Sequence, residues 1–126
     1  TEVVIPRIKS DLIELFEKVA IENLSSAAIE IDERTAATVM LVSGGYPESY
    51  EKGKVISGLN GVDSSLVFHA GTSFKDNQYI ATGGRVLNIV ASANNFEKAR
   101  NDAYKIVKKI DWNEGYYRTD IGIKAL

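Results

Sequence analysis

Apolar positions along this 126-residue chain recur with two periods, and the alternation between them sets out its elements. Leu12, Ile13, Leu15, Phe16, Val19, Ala20 and Leu24 fall at helical spacing and predict an amphipathic helix from Ser10 to about Asn23. Ser10 stands where an N-cap is wanted, with Asp11 and Glu14 in the first turn, where the helix dipole favours acids. A second stripe, Phe96, Ala99, Ala103, Ile106, Val107 and Ile110, predicts the last helix. Asn94-Asn95 opens it, with Asn94 and Glu97 three apart in a capping arrangement. Lys105, Lys108 and Lys109 fall in its last turns. Asp111-Trp112 closes it, and Trp112 is expected to be a packing anchor.

Between the helices the runs are short. Ala28 to Asp32 alternates like a short strand, and Asp32-Glu33-Arg34 turns after it. Ala36 to Val42 is an unbroken apolar run with β-branched residues, which predicts a buried strand. Lys54–Leu59, Leu66–Thr72, Gln78–Thr82 and Arg85–Ser92 follow as strands. Asn60-Gly61, Asp76-Asn77 and Gly83-Gly84 punctuate them. The sum is an α+β fold: a helix, several short strands paired mainly as hairpins, then a helix across them.

Composition narrows the classes. Apolar residues make up 44% and charged residues 25%, the balance of one soluble globular domain. A net charge of −2 argues against a nucleic-acid surface, which needs clustered Lys and Arg. No apolar run approaches a membrane span. With no cysteine there are no disulfides, thiolate metal ligands or cysteine nucleophiles, and a reducing compartment is the natural setting. The chain opens at Thr1 and runs at once into Glu2-Val3-Val4-Ile5-Pro6-Arg7, as the middle of a longer protein would, or a processed start.

Candidate chemistry sits in loops. Ser43-Gly44-Gly45-Tyr46-Pro47 ends the Ala36–Val42 strand and leads into Tyr50-Glu51-Lys52-Gly53. Paired glycines open the backbone to positive φ, and aromatic faces lie beside both charge signs, so the loop suits a ligand wall. A glycine requirement of turn geometry alone is the plainer alternative. Gly83-Gly84-Arg85 offers close backbone approach and a planar guanidinium for phosphate or carboxylate, or a tight turn with a solvated arginine. Arg118 and Asp120, two apart, share a face of an extended segment: an anion site beside Tyr116 and Tyr117, or a surface ion pair. His69 is the lone histidine and has no near partner, so a hydrogen-bonded structural role in or beside the core is expected rather than a triad or a metal site.

Taken in order, these segments carry a resemblance. Ser43-Gly44-Gly45-Tyr46-Pro47 with Tyr50-Glu51-Lys52-Gly53, then Val67-Phe68-His69-Ala70-Gly71-Thr72, then Gly83-Gly84-Arg85-Val86-Leu87, then Tyr117-Arg118-Thr119-Asp120-Ile121-Gly122 together resemble the C-terminal part of the glycinamide ribonucleotide synthetases, the phosphoribosylamine–glycine ligases of the ATP-grasp superfamily. Thr1 to Arg7, with Lys9-Ser10-Asp11-Leu12 after it, looks like the second half of that family's signature near the end of its ATP-grasp domain.

The resemblance implies a small β-rich barrel-sandwich-type unit with a C-terminal helix. It implies a boundary too, with residues 1–27 as the helical tail of the ATP-grasp domain and 28–126 as the C-terminal domain. The implied reaction is purine-pathway ligation of glycine to 5-phosphoribosylamine in the cytoplasm, with ATP and Mg²⁺ (or Mn²⁺). The family's nucleotide and metal ligands lie upstream of Thr1, so this chain is expected to bind neither cofactor and to be inactive without the rest of the ligase chain. By the same resemblance the candidate substrate-binding residues are Gly45, Tyr46, Lys52, Gly84, Arg85, Arg118, Asp120 and Gly122, with no catalytic or metal-binding residue. The partners implied are phosphoribosylamine, glycine and the remaining chain, not nucleic acid or membrane. Two alternatives are another ATP-grasp ligase of the same pathway and a non-catalytic interaction module.

Overall fold

A computed structural model describes residues 1–63 and 66–125. It contains α1 (Leu12–Ala20), β1 (Thr35–Ser43), β2 (Lys54–Ile56), β3 (Val67–His69), β4 (Thr72–Lys75), β5 (Gln78–Ala81), β6 (Arg85–Ala93), α2 (Phe96–Val107) and β7 (Gly115–Tyr116), with short 3₁₀ turns between. The α+β expectation is met. One antiparallel sheet has the order β3-β6-β1-β7, and a smaller one the order β2-β5-β4.

The long strands are the two that the apolar runs predicted. β1 and β6 pair from Thr35↔Ala93 to Val42↔Arg85, with a register shift after Leu41. On one face Ala37, Val39 and Leu41 lie beside Ala91, Ile89 and Leu87, all buried. α2 packs on this pair and buries Ala99, Ala103, Tyr104 and Val107. Each large aliphatic side chain removed from water here stabilises by about 1.5–3 kcal/mol, so β1, β6 and α2 form the core. Trp112 is buried in it, as expected of a packing anchor.

Several boundaries differ from the expectation, each for a physical reason. Pairing is not mainly by hairpins: only β4 and β5 are consecutive neighbours, joined by Asp76 and Asn77, both at positive φ. The Leu66–Thr72 run divides at Ala70-Gly71, where the chain leaves the first sheet for the second. The strand from Lys54 ends at Ile56, and Leu59–Gly61 is a 3₁₀ turn. Residues 28–32 form a single bridge, Ile8↔Ile31, instead of a strand. Asp11 caps α1, accepting from the Ile13 and Glu14 amides at 2.7 and 3.2 Å. Ser10 is spent elsewhere, since its hydroxyl accepts from the Glu30 amide and donates to the Ala28 carbonyl. Asn95, one residue beyond the expected cap, caps α2 by accepting from the Lys98 amide at 2.8 Å. α2 ends at Val107, before Asp111, which bridges to Ser57.

The N-terminal segment is tied to itself. Lys9 donates to the Glu30 carbonyl, Arg7 to that of Asp32, and Asp32 back to that of Arg7. α1 buries only Leu15; Ile13 and Phe16 are 70% and 63% exposed. Its apolar stripe is real but mostly uncovered.

Candidate functional site

β1 ends in a buried serine. The Ser43 amide donates to the Gly84 carbonyl at 2.8 Å, and its hydroxyl to the Gly83 carbonyl at 2.9 Å. The chain then turns. Gly44 lies so close to the Glu114 carbonyl that a Cβ would come within 2.6 Å of that oxygen, and Gly45 takes φ +91°. The Tyr46–Pro47 peptide is cis. The Tyr46 ring occupies the space where a Gly84 side chain would stand, and Tyr50 meets it edge-on at 6.1 Å. Two motifs far apart in sequence are thus in direct contact.

A third joins them. The Gly71 amide donates to the Arg85 carbonyl at 2.8 Å, and the Gly71 carbonyl accepts from the Thr82 and Gly83 amides. A Cβ on Gly71 would lie 2.6 Å from the Gly83 Cα. The connections β3–β4 and β5–β6 therefore cross backbone to backbone, and only residues without side chains allow that approach. The glycines of all three motifs have a geometric reason to be glycine.

What distinguishes the cluster is Arg85. The register shift sets Arg85, rather than Val86, opposite Val42, with Val86 as the additional residue. Bulges of this kind re-aim side chains. Val86 and Leu87 are both buried, while Arg85 is exposed. Its guanidinium has no hydrogen bond or ion pair among the described residues. Beyond the same turn lies an open concavity of about 560 Å³ lined by Gly44, Gly45, Ser49, Tyr50, Glu51 and Glu114. Lys54 holds Glu51 at 2.5 Å, and this hydrogen bond lowers the Glu51 carboxyl below its usual range. Lys52 is exposed and unpaired among the described residues, just before Gly53, which anchors the loop on the Ala81 carbonyl.

The remaining candidates lie on the tail that follows β7. After β7 the chain runs back along α2. The Tyr104 hydroxyl donates to the Arg118 carbonyl at 2.6 Å and accepts from the Ile121 amide. Arg100 stacks over the Tyr104 ring and donates to the Thr119 and Ile121 carbonyls. Arg118 is held by Asp120 through two bonds, Nε at 2.8 Å and an Nη at 2.5 Å, which raises the guanidinium pKa and lowers the carboxyl. Gly122, at φ +74°, sits against the Phe96 ring, beyond the end of β6. Gly84 precedes its start, so the two lie at opposite ends of a nine-residue strand, roughly 25–30 Å apart. Gly45, Tyr46, Gly84 and Arg85 are brought together; Gly122 lies at the other end of β6, and Arg118 and Asp120 lie on the tail between it and Tyr116, which pairs with Val42.

Ser43, Gly71, Arg100 and Tyr104 were not among the candidates. Ser43 and Gly71 lie inside the quoted motifs, so a signal for them existed; Arg100 and Tyr104 had none beyond their place on α2. His69 is exposed, with Nδ1 2.9 Å from the Thr72 hydroxyl and its ring against Tyr79, so it is hydrogen-bonded at the surface. Among the described residues no cluster of three His, Asp or Glu side chains could hold a metal ion, and no helix is long and apolar enough to cross a membrane.

Comparison with known proteins bears on the same segments. Residues 36–124 match the family model described as phosphoribosylglycinamide synthetase, C domain. Similar curated proteins include a phosphoribosylamine–glycine ligase from Brucella melitensis, 41% identical over 99% of this chain and 30% of that protein. Another, from Caldanaerobacter subterraneus, is 40% identical over 96% of this chain and 29% of its own length. The chain therefore spans about 30% of these relatives. The crystal structure of a phosphoribosylamine–glycine ligase from Thermotoga maritima superposes with a TM-score of 0.68 at 33% identity, covering 85% of this chain and 27% of that one.

Proposed function

Because the chain belongs to the phosphoribosylglycinamide synthetase C-domain family, we propose that it is the C-terminal domain of a phosphoribosylamine–glycine ligase. In that reaction glycine and 5-phosphoribosylamine are joined at the expense of ATP in the cytoplasm. Residues 1–27, with the uncovered face of α1, belong in this reading to the edge of the preceding domain. Because the chain spans about 30% of its relatives, we assign ATP and the metal to the rest of the ligase, and the isolated chain is inactive.

The chain's own contribution is a wall of the substrate cleft. The observation that carries this is Arg85: an exposed guanidinium with no hydrogen bond or ion pair among the described residues, at the meeting point of three motif loops. A planar fork of donors suits a phosphate monoester, and the ribosylated substrate carries one. Gly45, Gly84 and Lys52 complete the approach with open backbone and a second cation. Arg118 already spends its fork on Asp120, so its surface is assigned to holding the tail against α2.

The test is ligation by the complete protein that carries this chain. Arg85→Ala raises the KM for the ribosylated substrate or product by roughly tenfold or more, the loss expected when a hydrogen bond to a charged group is removed. Arg118→Ala moves it by less than about threefold, the range of an exposed ion pair. The reverse order would sink the assignment of Arg85. Ligation by the 126-residue chain alone would sink the division of labour.

A further inference from the structure

We infer that Ser43 and Tyr46 are positioning residues that fix the direction in which Arg85 leaves the sheet. The inference rests on the reading of Arg85 as the phosphate contact and assigns its aim to two residues that need not touch substrate.

Three consecutive carbonyls run through the turn, and each is engaged from outside it. Gly83 accepts from the Ser43 hydroxyl, Gly84 from the Ser43 amide and Arg85 from the Gly71 amide. The peptide planes before and after the Arg85 Cα are thereby held. The Tyr46 ring closes the remaining freedom, because it lies against Gly84 where any side chain would stand. Glycine is otherwise the most mobile of residues, and a Gly-Gly turn left to itself would sample many directions.

Ser43 is 4% exposed. A hydroxyl so buried requires a partner, and here that partner is the loop carbonyl. The Tyr46 ring lies against Gly84 and meets Tyr50 in an edge arrangement, so it is a wedge in the turn. Together they leave the guanidinium exposed, with no hydrogen bond or ion pair among the described residues. Pre-ordering of this kind raises affinity by reducing what binding must immobilise.

Calorimetric titration of the complete protein with ribose 5-phosphate tests the inference. Arg85→Ala weakens binding roughly tenfold or more. Ser43→Ala, which leaves the backbone bond to Gly84 in place, and Tyr46→Ala each weaken it by about three- to tenfold. Tyr46→Phe restores what Tyr46→Ala loses. Added to Arg85→Ala, neither substitution costs further affinity, because an arginine that is absent cannot be misdirected. Amide spectra of each variant establish that it is folded, and Ser43→Ala stands in should Tyr46→Ala not fold. If Arg85→Ala alone weakens binding, or if the losses add in the double variants, the positioning role is overturned and the Arg85 reading survives. If ribose 5-phosphate does not bind, or binds Arg85→Ala equally well, both readings fall.

Discussion

Two arginines of identical chemistry have different fates in this fold. Arg118 meets a carboxylate two residues away and spends its fork there; Arg85 is delivered to the surface by a bulge and has no hydrogen bond or ion pair among the described residues. Asp32 illustrates how local such pairing is. The Arg34 side chain and then the Arg34 backbone amide hold its carboxyl down, from the ordinary 3.8 to about 2. A depressed carboxyl pKa stabilises above its unfolded value and ceases to as pH falls through the folded one. The ordering of residues 30–34 by this pair is therefore complete above about pH 4 and lost toward pH 2. A carboxyl-carbon NMR titration should place the Asp32 midpoint near 2, and Arg34→Gln should move it upward. Gly84→Ala belongs to the same scale. Its methyl collides with the Tyr46 ring, so urea denaturation should show a loss of about 1–3 kcal/mol, the usual cost of overpacking. An unchanged midpoint would mean that the ring can move away.

Elements are governed by caps, stripes and register. The cap of α2 is a one-residue question with a measurable answer. Asn95→Ala should destabilise by about 1 kcal/mol, whereas Asn94→Ala should stay within about 0.5 kcal/mol; equal effects would contradict the observed bond to Lys98. The Asn94-to-Glu97 spacing pointed to Asn94, and backbone geometry places the cap at Asn95 instead. The case of β3 and β4 is similar. Leu66–Thr72 reads as one strand by composition, yet Gly71 is needed where it crosses Gly83, so the run divides between two sheets. The stripe of α2 was legible by its period and is built into the clusters that hold β1 and β6; that of α1 was equally legible, but here it meets little beyond its own segment. Periodicity states which face of a helix is apolar, not what covers it.

Over the whole molecule, stability is unevenly distributed. Among the described residues, the hydrogen bonds of residues 1–34 end within that segment, while β6 is buried along nearly its whole length. Amide exchange should therefore release residues 12–20 well before residues 87–91, since local openings follow sparse burial; simultaneous exchange would mean that α1 is part of the core unit. Local chemistry in the sequence was enough to determine the long apolar strands, the stripe of each helix, the Asp76-Asn77 turn and the glycine motifs, because each depends on neighbours within a few residues. Only the tertiary structure decided which motifs meet. β1 and β6 pair across some forty residues, and the bulge between them selects Arg85 for the surface. Gly84 received its partner in Tyr46, and Gly122 its place at the far end of the sheet, through contacts that no local pattern encodes. The candidate site was thus readable as a set of residues, and its division into a free arginine and a spent one was not. Propensity acts along the chain, whereas the availability of a charged group is settled by whatever the fold brings beside it.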